Sequence, residues 1–249
     1  MDEERFQNIA DSLTDEVYSR LALYDLIFRF YPAYTSSSCD WVIGSLTKRG
    51  VLRALGNGYY AKAKATWEFS VPPRRLKIVQ KLVAEFPGSS FACIDSGIVN
   101  ELSGMVGGED WFLIETSKRD IFPVYMRCRE LSKADVLLTP SEHELNYYLK
   151  PGSIIISPLF SKSPCRDNGL FTIEKLIVDL MEERVIGYLY PRVSFDEKLI
   201  EIIRQYNVNL ITCINYARRR KATKRVVDLL RAALPNECEE VIAEDLLHD

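Results

Sequence analysis

The chain has 249 residues, of which 47% are hydrophobic and 27% are charged, and its net charge is −3. This composition is typical of a globular protein with one or two cores, and no apolar run reaches the roughly 18 residues that a membrane span requires. The first residues are acidic, whereas a secretory signal begins with basic ones, so the sequence predicts a cytoplasmic protein.

Two helices are predicted at the start of the chain, over residues 5–13 and 16–30, because apolar residues recur there at intervals of three and four. A third helix begins at the hydroxyl-rich residues 35–38, which can cap it, and it stops at Gly50. Trp41, like its apolar neighbours in this helix, is expected to face the core.

After Gly50 the pattern changes from helical to extended. Residues 51–55 and 59–63 read as short strands, and the Gly-Asn-Gly sequence at residues 56–58 supplies the positive backbone angles of a hairpin turn. Helix, turn, helix and hairpin in this order is the winged helix-turn-helix layout. We therefore expect a winged helix-turn-helix domain over residues 1–70.

Two consecutive prolines, Pro72 and Pro73, mark the predicted crossing to a second domain over residues 74–249. Helical and strand patterns alternate in it, which predicts a mixed α/β fold for the C-terminal part of the chain. Its predicted helices cover residues 76–86, 141–149, 172–190, 195–206 and 224–234, and its predicted strands cover residues 90–94, 111–115, 135–139 and 153–157.

Basic charge is concentrated in the predicted winged helix, since residues 29–64 carry six bases and one acid while residues 1–16 carry six acids and one base. In such a domain the second helix enters the major groove and the wing lies over the flanking backbone. Double-stranded DNA is therefore the predicted partner, with a protein-interaction role for this module as the alternative. The residues expected to contact DNA are Ser36, Ser37, Ser38, Ser45, Lys48 and Arg49 in the helix and Arg53, Asn57, Tyr59, Lys62 and Lys64 in the wing.

A second basic cluster lies near the C-terminus and has six bases in eight residues: Arg218, Arg219, Arg220, Lys221, Lys224 and Arg225. It is predicted either to hold phosphate as a second DNA contact or to dock an acidic or RNA-bearing partner. A solvated helix start fits it equally well. Cations at a helix N-terminus oppose the macrodipole, which favours a charge partner, and the acidic residues after the cluster are candidates.

Cysteines and histidines indicate neither a metal site nor a redox motif. The six cysteines contain no C-x-x-C pair, and the two histidines, His143 and His248, are far apart. Zinc sites and redox pairs depend on such close spacing. We expect reduced, packed cysteines and no bound metal or cofactor.

A nuclease site is the main enzymatic alternative, and its candidates are Asp95, Glu115 and Lys118 at the ends of predicted strands. Two residues separate Glu115 from Lys118, where the usual nuclease signature has one. The two side chains therefore point to opposite faces of a strand. We predict that the protein is not an enzyme and has no catalytic residues.

Two stretches resemble the AbiEi family, the antitoxins of type IV toxin–antitoxin systems in bacterial abortive infection. Residues 46–60 are similar to the leucine, basic pair, glycine, strand, glycine turn and tyrosine that close the winged helix of that family. Residues 157–159 and 171–180 are similar to its C-terminal helix with threonine, glutamate, lysine and aspartate. The resemblance implies a regulator that represses its own operon through the N-terminal domain, while the C-terminal domain takes part in countering a nucleotidyltransferase toxin.

The leading hypothesis is thus a cytoplasmic, DNA-binding regulator of antitoxin type, which binds an operator either as a monomer on repeats or as a homodimer. The first alternative is a defence-related nucleic-acid enzyme that a winged helix delivers to its substrate. The second is a protein-interaction module.

Overall fold

The computed structural model describes residues 3–14, 17–104, 110–182, 185–190 and 194–242. Within these ranges the chain is mixed α/β, with thirteen helices and seven strands in two sheets, which confirms the predicted fold class. No helix in the described ranges is both long enough and apolar enough to cross a membrane. The chain divides into two compact units: unit 1 is Met1–Trp67 with Leu199–Asp249, and unit 2 is Glu68–Lys198.

The N-terminal part of unit 1 contains three predicted helices and the hairpin, but the helix predicted over residues 16–30 begins only at Arg20. A three-stranded antiparallel sheet in the order β1-β3-β2 joins them, and β1 is a two-residue strand that the sequence patterns did not reveal. The elements are α1 (Glu3–Ser12), β1 (Tyr18–Ser19), α2 (Arg20–Phe30), α3 (Ser36–Lys48), β2 (Leu52–Gly56) and β3 (Tyr59–Lys62).

Helix α3 packs one face on the core and leaves the other exposed. Its buried residues are Cys39, Val42, Ile43 and Leu46, a spacing that puts them on one side of a helix. Trp41 lies on the other side and is 52% exposed, so the expectation that it faces the core was wrong. The reason is geometric, because successive helical residues are about 100° apart and only one stripe of α3 meets α2 and the sheet.

Four C-terminal helices complete unit 1. They are α10 (Asp196–Gln205), which enters the unit at Leu199, α11 (Leu210–Arg219), α12 (Thr223–Ala233) and α13 (Pro235–Val241). Both α11 and α13 pack against strand β2. The expected single domain over residues 74–249 therefore differs from this division, because helices α11 and α13 pack against the N-terminal hairpin and group with unit 1.

Unit 2 is built on a four-stranded sheet in the order β4-β5-β7-β6, in which β4 is antiparallel to β5 and the other neighbours are parallel. All four strands match predicted ones. The elements are α4 (Pro73–Glu85), β4 (Phe91–Asp95), α5 (Ser96–Ser103), β5 (Trp111–Thr116), α6 (Ile121–Leu131), β6 (Val136–Leu138), α7 (Glu142–Tyr148), β7 (Ser153–Pro158), α8 (Ile173–Leu180) and α9 (Val185–Leu189).

The long helix predicted over residues 172–190 is interrupted. Thr172 caps α8 as expected, with its hydroxyl accepting from the Lys175 N–H at 3.1 Å, but the helix ends at Leu180 with Met181 as its C-cap. A second short helix begins at Val185. Apolar periodicity continues through this break, which is why the sequence pattern did not indicate it.

Candidate nucleic-acid interface

The exposed side of α3 forms a continuous strip. Ser37, Trp41, Gly44 and Lys48 are all exposed and stand at positions i, i+4, i+7 and i+11, so they share one face over about 16 Å. Ser45 lies beside them and is half-buried. This strip (Ser37, Trp41, Gly44, Ser45 and Lys48), which we call the α3 face, has the length and width of an element that can enter a major groove.

The N-terminus of α3 is open and carries no acid in its first turn. Thr35 caps it, because its hydroxyl accepts from the Ser38 N–H at 3.3 Å. The first N–H groups of a helix have no partner inside the helix, and they favour anions such as phosphate. Ser36 and Ser37 are exposed at this end, as the prediction of phosphate contacts requires, while Ser38 is half-buried.

Asp40 is the acid of α3, and two neighbours from α2 hold it. The Arg20 Nε donates to its carboxylate at 2.8 Å, and the Tyr24 hydroxyl donates to it at 2.5 Å. The Arg20 hydrogen bond, followed by that of Tyr24, lowers the pKa of Asp40. The carboxylate therefore stays charged but is balanced by a guanidinium, which reduces its repulsion of phosphate.

Arg20 also connects α2 to the hairpin turn. Its backbone N–H donates to the Gly58 carbonyl at 2.9 Å. The turn itself has positive φ angles at Asn57 and Gly58, as its Asn-Gly sequence predicts. Arg20 thus contacts both helix α3, through Asp40, and the turn of the hairpin, so it links these two elements.

Fewer of the candidate wing residues are accessible than the sequence predicts, because Arg53 is buried. Only 4% of its surface is exposed, and it forms an ion pair with Glu237 of α13. Its Nε also donates to the Lys62 carbonyl at 3.3 Å. Burial lowers the pKa of Arg53 and Glu237 opposes that effect. The prediction that Arg53 contacts DNA is therefore wrong for this conformation, because the guanidinium faces the C-terminal helices.

The Lys64 side chain, like that of Arg53, points toward Glu237 of α13. Its Nζ lies 3.8 Å from Glu237, and its backbone is clamped by Asn207, whose side chain accepts from the Lys64 N–H at 2.8 Å and donates to the Lys64 carbonyl at 2.9 Å. Asn57 and Lys62 are exposed, and Tyr59 is half-buried. Of the predicted wing contacts, Asn57 and Lys62 are thus the most accessible.

The second basic cluster joins two helices rather than starting one. Arg218 and Arg219 lie in the last turn of α11, where the macrodipole favours cations, and Lys224 lies at the start of α12. Arg220 is 8% exposed, with its Cζ 5.9 Å from the Tyr216 ring, so it is partly a packing residue. The exposed members are Arg219, Lys221, Lys224 and Arg225.

One of the acidic residues proposed to balance this cluster, Glu237, has other partners. Glu237 pairs with Arg53 and lies near Lys64. Residues 243–249, which include three of the predicted acids, lie outside the described residues.

The candidate nuclease residues are not brought together. Asp95 lies directly opposite Phe112 on the β4–β5 ladder, whereas Glu115 is three residues further along β5 and so faces the other side of the sheet. Asp95 forms an ion pair with Arg75. Lys118 is exposed in the turn after β5. Within the described ranges, no group of three histidine, cysteine or acidic residues is placed to hold a metal ion.

A family model matches residues 38–236, from α3 to α13, and its description is a family of unknown function, DUF6577. The chain belongs to this family. Comparisons with curated proteins and with solved structures found no match. The matched range includes most of the α3 face, the hairpin and all of unit 2.

The DUF6577 chain also holds a buried charge cluster that sequence reasoning did not identify. Lys175 of α8 is fully buried and its Nζ lies 2.6 Å from Glu115 and 2.7 Å from Asp179. The same Nζ is 4.7 Å from the centre of the Phe171 ring. Lys175 and Asp179 stand four residues apart on the side of α8 away from its apolar stripe, so no local pattern signalled their burial. The cluster connects α8 to the central strand β5.

Two further features of the interface in this DUF6577 protein were also missed. Trp41 was predicted to face the core, and Arg20 lies before the basic segment over residues 29–64. The spacing around Trp41 was a signal of its exposure. Ser37, Gly44 and Lys48 stand four residues before it and three and seven residues after it, so Trp41 shares a helix face with small or polar residues. No local signal pointed to Arg20, because its role depends on contacts with α3 and with the hairpin turn.

Proposed function

We propose that the protein is a transcriptional regulator that binds double-stranded DNA through a winged helix-turn-helix made of α1 to α3 and the β2–β3 hairpin. The α3 face carries the proposal: it is a largely exposed and mostly polar helix surface that starts at an uncharged N-terminus and has a basic end at Lys48 and Arg49. Lys62 on the hairpin extends the basic surface. Electrostatic contact with phosphate supplies most non-specific affinity, and polar contacts along α3 supply register.

The antitoxin role is the finer part of the proposal. It is supported by the resemblance of residues 46–60 and 171–180 to the AbiEi family, and it predicts a nucleotidyltransferase gene beside this one. Co-expression tests it: cells that express the neighbouring nucleotidyltransferase should stop growing, and this protein should restore growth. If the neighbouring frame encodes no such enzyme, or if growth is not restored, the antitoxin role is wrong while DNA binding is untouched.

DNA binding is tested with the region upstream of the gene as a labelled duplex. Wild-type protein should shift it at 50 mM salt, and the logarithm of affinity should fall linearly with the logarithm of salt concentration. The double variant Lys48→Ala/Lys62→Ala removes two exposed bases, so it should weaken binding and reduce the salt slope by about 2.

The matched control is Lys77→Ala/Lys81→Ala, which removes two exposed bases from α4 in unit 2 and leaves the same net charge. It should bind as wild type does. If the wild-type protein gives no shift at low salt, or if both double variants lose the same affinity, the α3 face is not the DNA-binding surface.

A further inference from the structure

The α3 face has one large apolar side chain at its centre. Trp41 is 52% exposed, with the polar Ser37 and Ser45 one turn away on either side and Lys48 at the end. An indole combines a large apolar area with one polar N–H group, which suits it to a surface that contacts another molecule.

A ring of helix α1 packs against the indole. The Phe6 ring of α1 lies 5.9 Å from it at 48°, and the Arg49 guanidinium covers the Phe6 ring at 4.3 Å. Phe6 is itself buried. Helix α1 thus packs one side of the Trp41 ring, which limits its rotamers and leaves the remainder facing outward from α3.

Gly44 leaves space beside the ring. A Cβ at this position would meet no atom within 4 Å, so no packing constraint within the described structure requires glycine here. Glycine inside a helix costs about 1 kcal/mol relative to alanine. A glycine on an exposed helix face is expected where another molecule approaches the backbone closely.

Base edges in the major groove present hydrogen-bonding groups with one apolar exception, the 5-methyl group of thymine. The carbon surface of an indole pressed against polar edge groups would desolvate them without a hydrogen bond, whereas contact with the methyl group removes apolar surface from water on both sides. The ring has a single N–H donor, so most of its surface is apolar. The bases that this apolar surface of Trp41 favours are therefore thymines.

We propose that Trp41 contacts the 5-methyl group of a thymine in the major groove and makes the protein prefer duplexes with thymine at that position. Gly44 admits the base pair close to the helix, and Phe6 holds the ring in place. The inference rests on the proposed DNA-binding function and adds a determinant of specificity to it.

Replacing single thymines by uracil tests the inference, because the replacement removes the methyl group and leaves base pairing unchanged. Duplexes are first selected from a random library with the wild-type protein, and each thymine in a selected duplex is then replaced in turn. At one position in each bound site the wild-type affinity should fall about four-fold, the effect of one buried methyl-sized group.

Trp41→Ala should bind more weakly and should show no further loss at that position, while Trp41→Phe should keep part of the sensitivity. Tyr147→Ala is the matched control, because Tyr147 is also an exposed aromatic residue, 70% exposed on α7 in unit 2. It should keep the full uracil effect. Thermal melting of each variant checks that the fold is retained.

Two negative results have different meanings. If no duplex is selected at all, the DNA-binding function fails and the inference fails with it. If a duplex is selected and its binding depends on Lys48 and Lys62, but no uracil replacement weakens wild-type binding or Trp41→Ala remains equally sensitive, the inference is overturned and the function stands. In that second case, Trp41 is assigned to a protein contact only if Trp41→Ala binds DNA as tightly as the wild-type protein does.

Discussion

Arg53 on the second strand of unit 1 and Glu237 on its last helix form a buried ion pair across 184 positions of the chain. Val208, before α11, accepts a further hydrogen bond from the Arg53 Nη1 at 3.5 Å. The hairpin that the sequence assigns to a DNA-binding wing is therefore also a structural partner of the C-terminal helices. One side of it packs inward, and the turn and Lys62 remain outside.

Breaking this pair is expected to destabilise unit 1. Glu237→Ala leaves the Arg53 charge buried without its carboxylate, and such single removals cost about 3–5 kcal/mol in buried pairs. Urea denaturation should show this as a lower midpoint. Glu240→Ala, an exposed carboxylate on the same helix, should leave the midpoint nearly unchanged. Equal midpoints for the two variants would contradict a structural role for the pair.

Two glycines of unit 1 should respond to alanine in opposite directions. A Cβ on Gly56 would lie 2.3 Å from the Ile211 Cγ1, and its φ of +108° is strained for any L side chain. Gly56→Ala should therefore lower the melting temperature by several degrees. Gly44→Ala meets open space inside a helix and should stabilise the protein by about 0.5–1 kcal/mol.

The Gly44→Ala variant also bears on DNA binding. A methyl group there enters the space that the proposed base contact needs, so the variant should be more stable than wild type and yet bind the selected duplex more weakly. Anisotropy titrations measure the affinity, and a stable variant with unchanged affinity would show that the DNA does not approach the helix at Gly44.

Lys175 should be the most sensitive lysine of unit 2. Lys175→Met keeps the length of the side chain but leaves Glu115 and Asp179 as neighbouring buried carboxylates. The free energy of unfolding should fall by about 3–5 kcal/mol. Lys81→Met on the exposed side of α4 should change it by less than about 0.5 kcal/mol.

A rescue variant separates charge from packing at this cluster. Adding Glu115→Gln and Asp179→Asn to Lys175→Met removes both remaining charges, so stability should recover in part. If the triple variant is as unstable as Lys175→Met, the loss comes from packing of α8 against β5 and the electrostatic account is wrong.

Asp120 predicts a pH dependence of stability. Its carboxylate accepts hydrogen bonds from Arg119 at 3.2 Å, from Ser117 at 2.6 Å and from Ser89, and these hold its pKa well below the usual aspartate value. A group whose pKa is lower in the folded state contributes stability above its unfolded pKa, which is about 3.9, and loses it as the pH falls through the folded value.

The expected result is that Asp120→Asn lowers the urea midpoint at pH 7 and has a progressively smaller effect below pH 4. Asp228→Asn, which changes an exposed carboxyl on α12, should follow the wild-type pH profile. A constant difference between Asp120→Asn and wild type from pH 7 to pH 3 would show that the hydrogen bonds of the ionised form are not the cause.

Local sequence was sufficient for most elements. Most predicted helices, the four strands of unit 2 and the Asn-Gly hairpin lie close to where the patterns predict them, because capping groups, turn residues and apolar spacing act over a few neighbours. Helices α5, α6, α11 and α13 were not predicted. The break between α8 and α9 was missed because apolar spacing continues across it, so the local pattern predicts one continuous helix.

Tertiary structure decided which side chains face outward and which segments belong together. The sequence by itself determined a mixed α/β chain with a basic helix and hairpin near its start, because those features depend only on local periodicity and charge. Whether Arg53 meets solvent or Glu237, whether Trp41 is buried, and whether the last helices join unit 1 depend on contacts between residues far apart in the chain, which no local pattern contains.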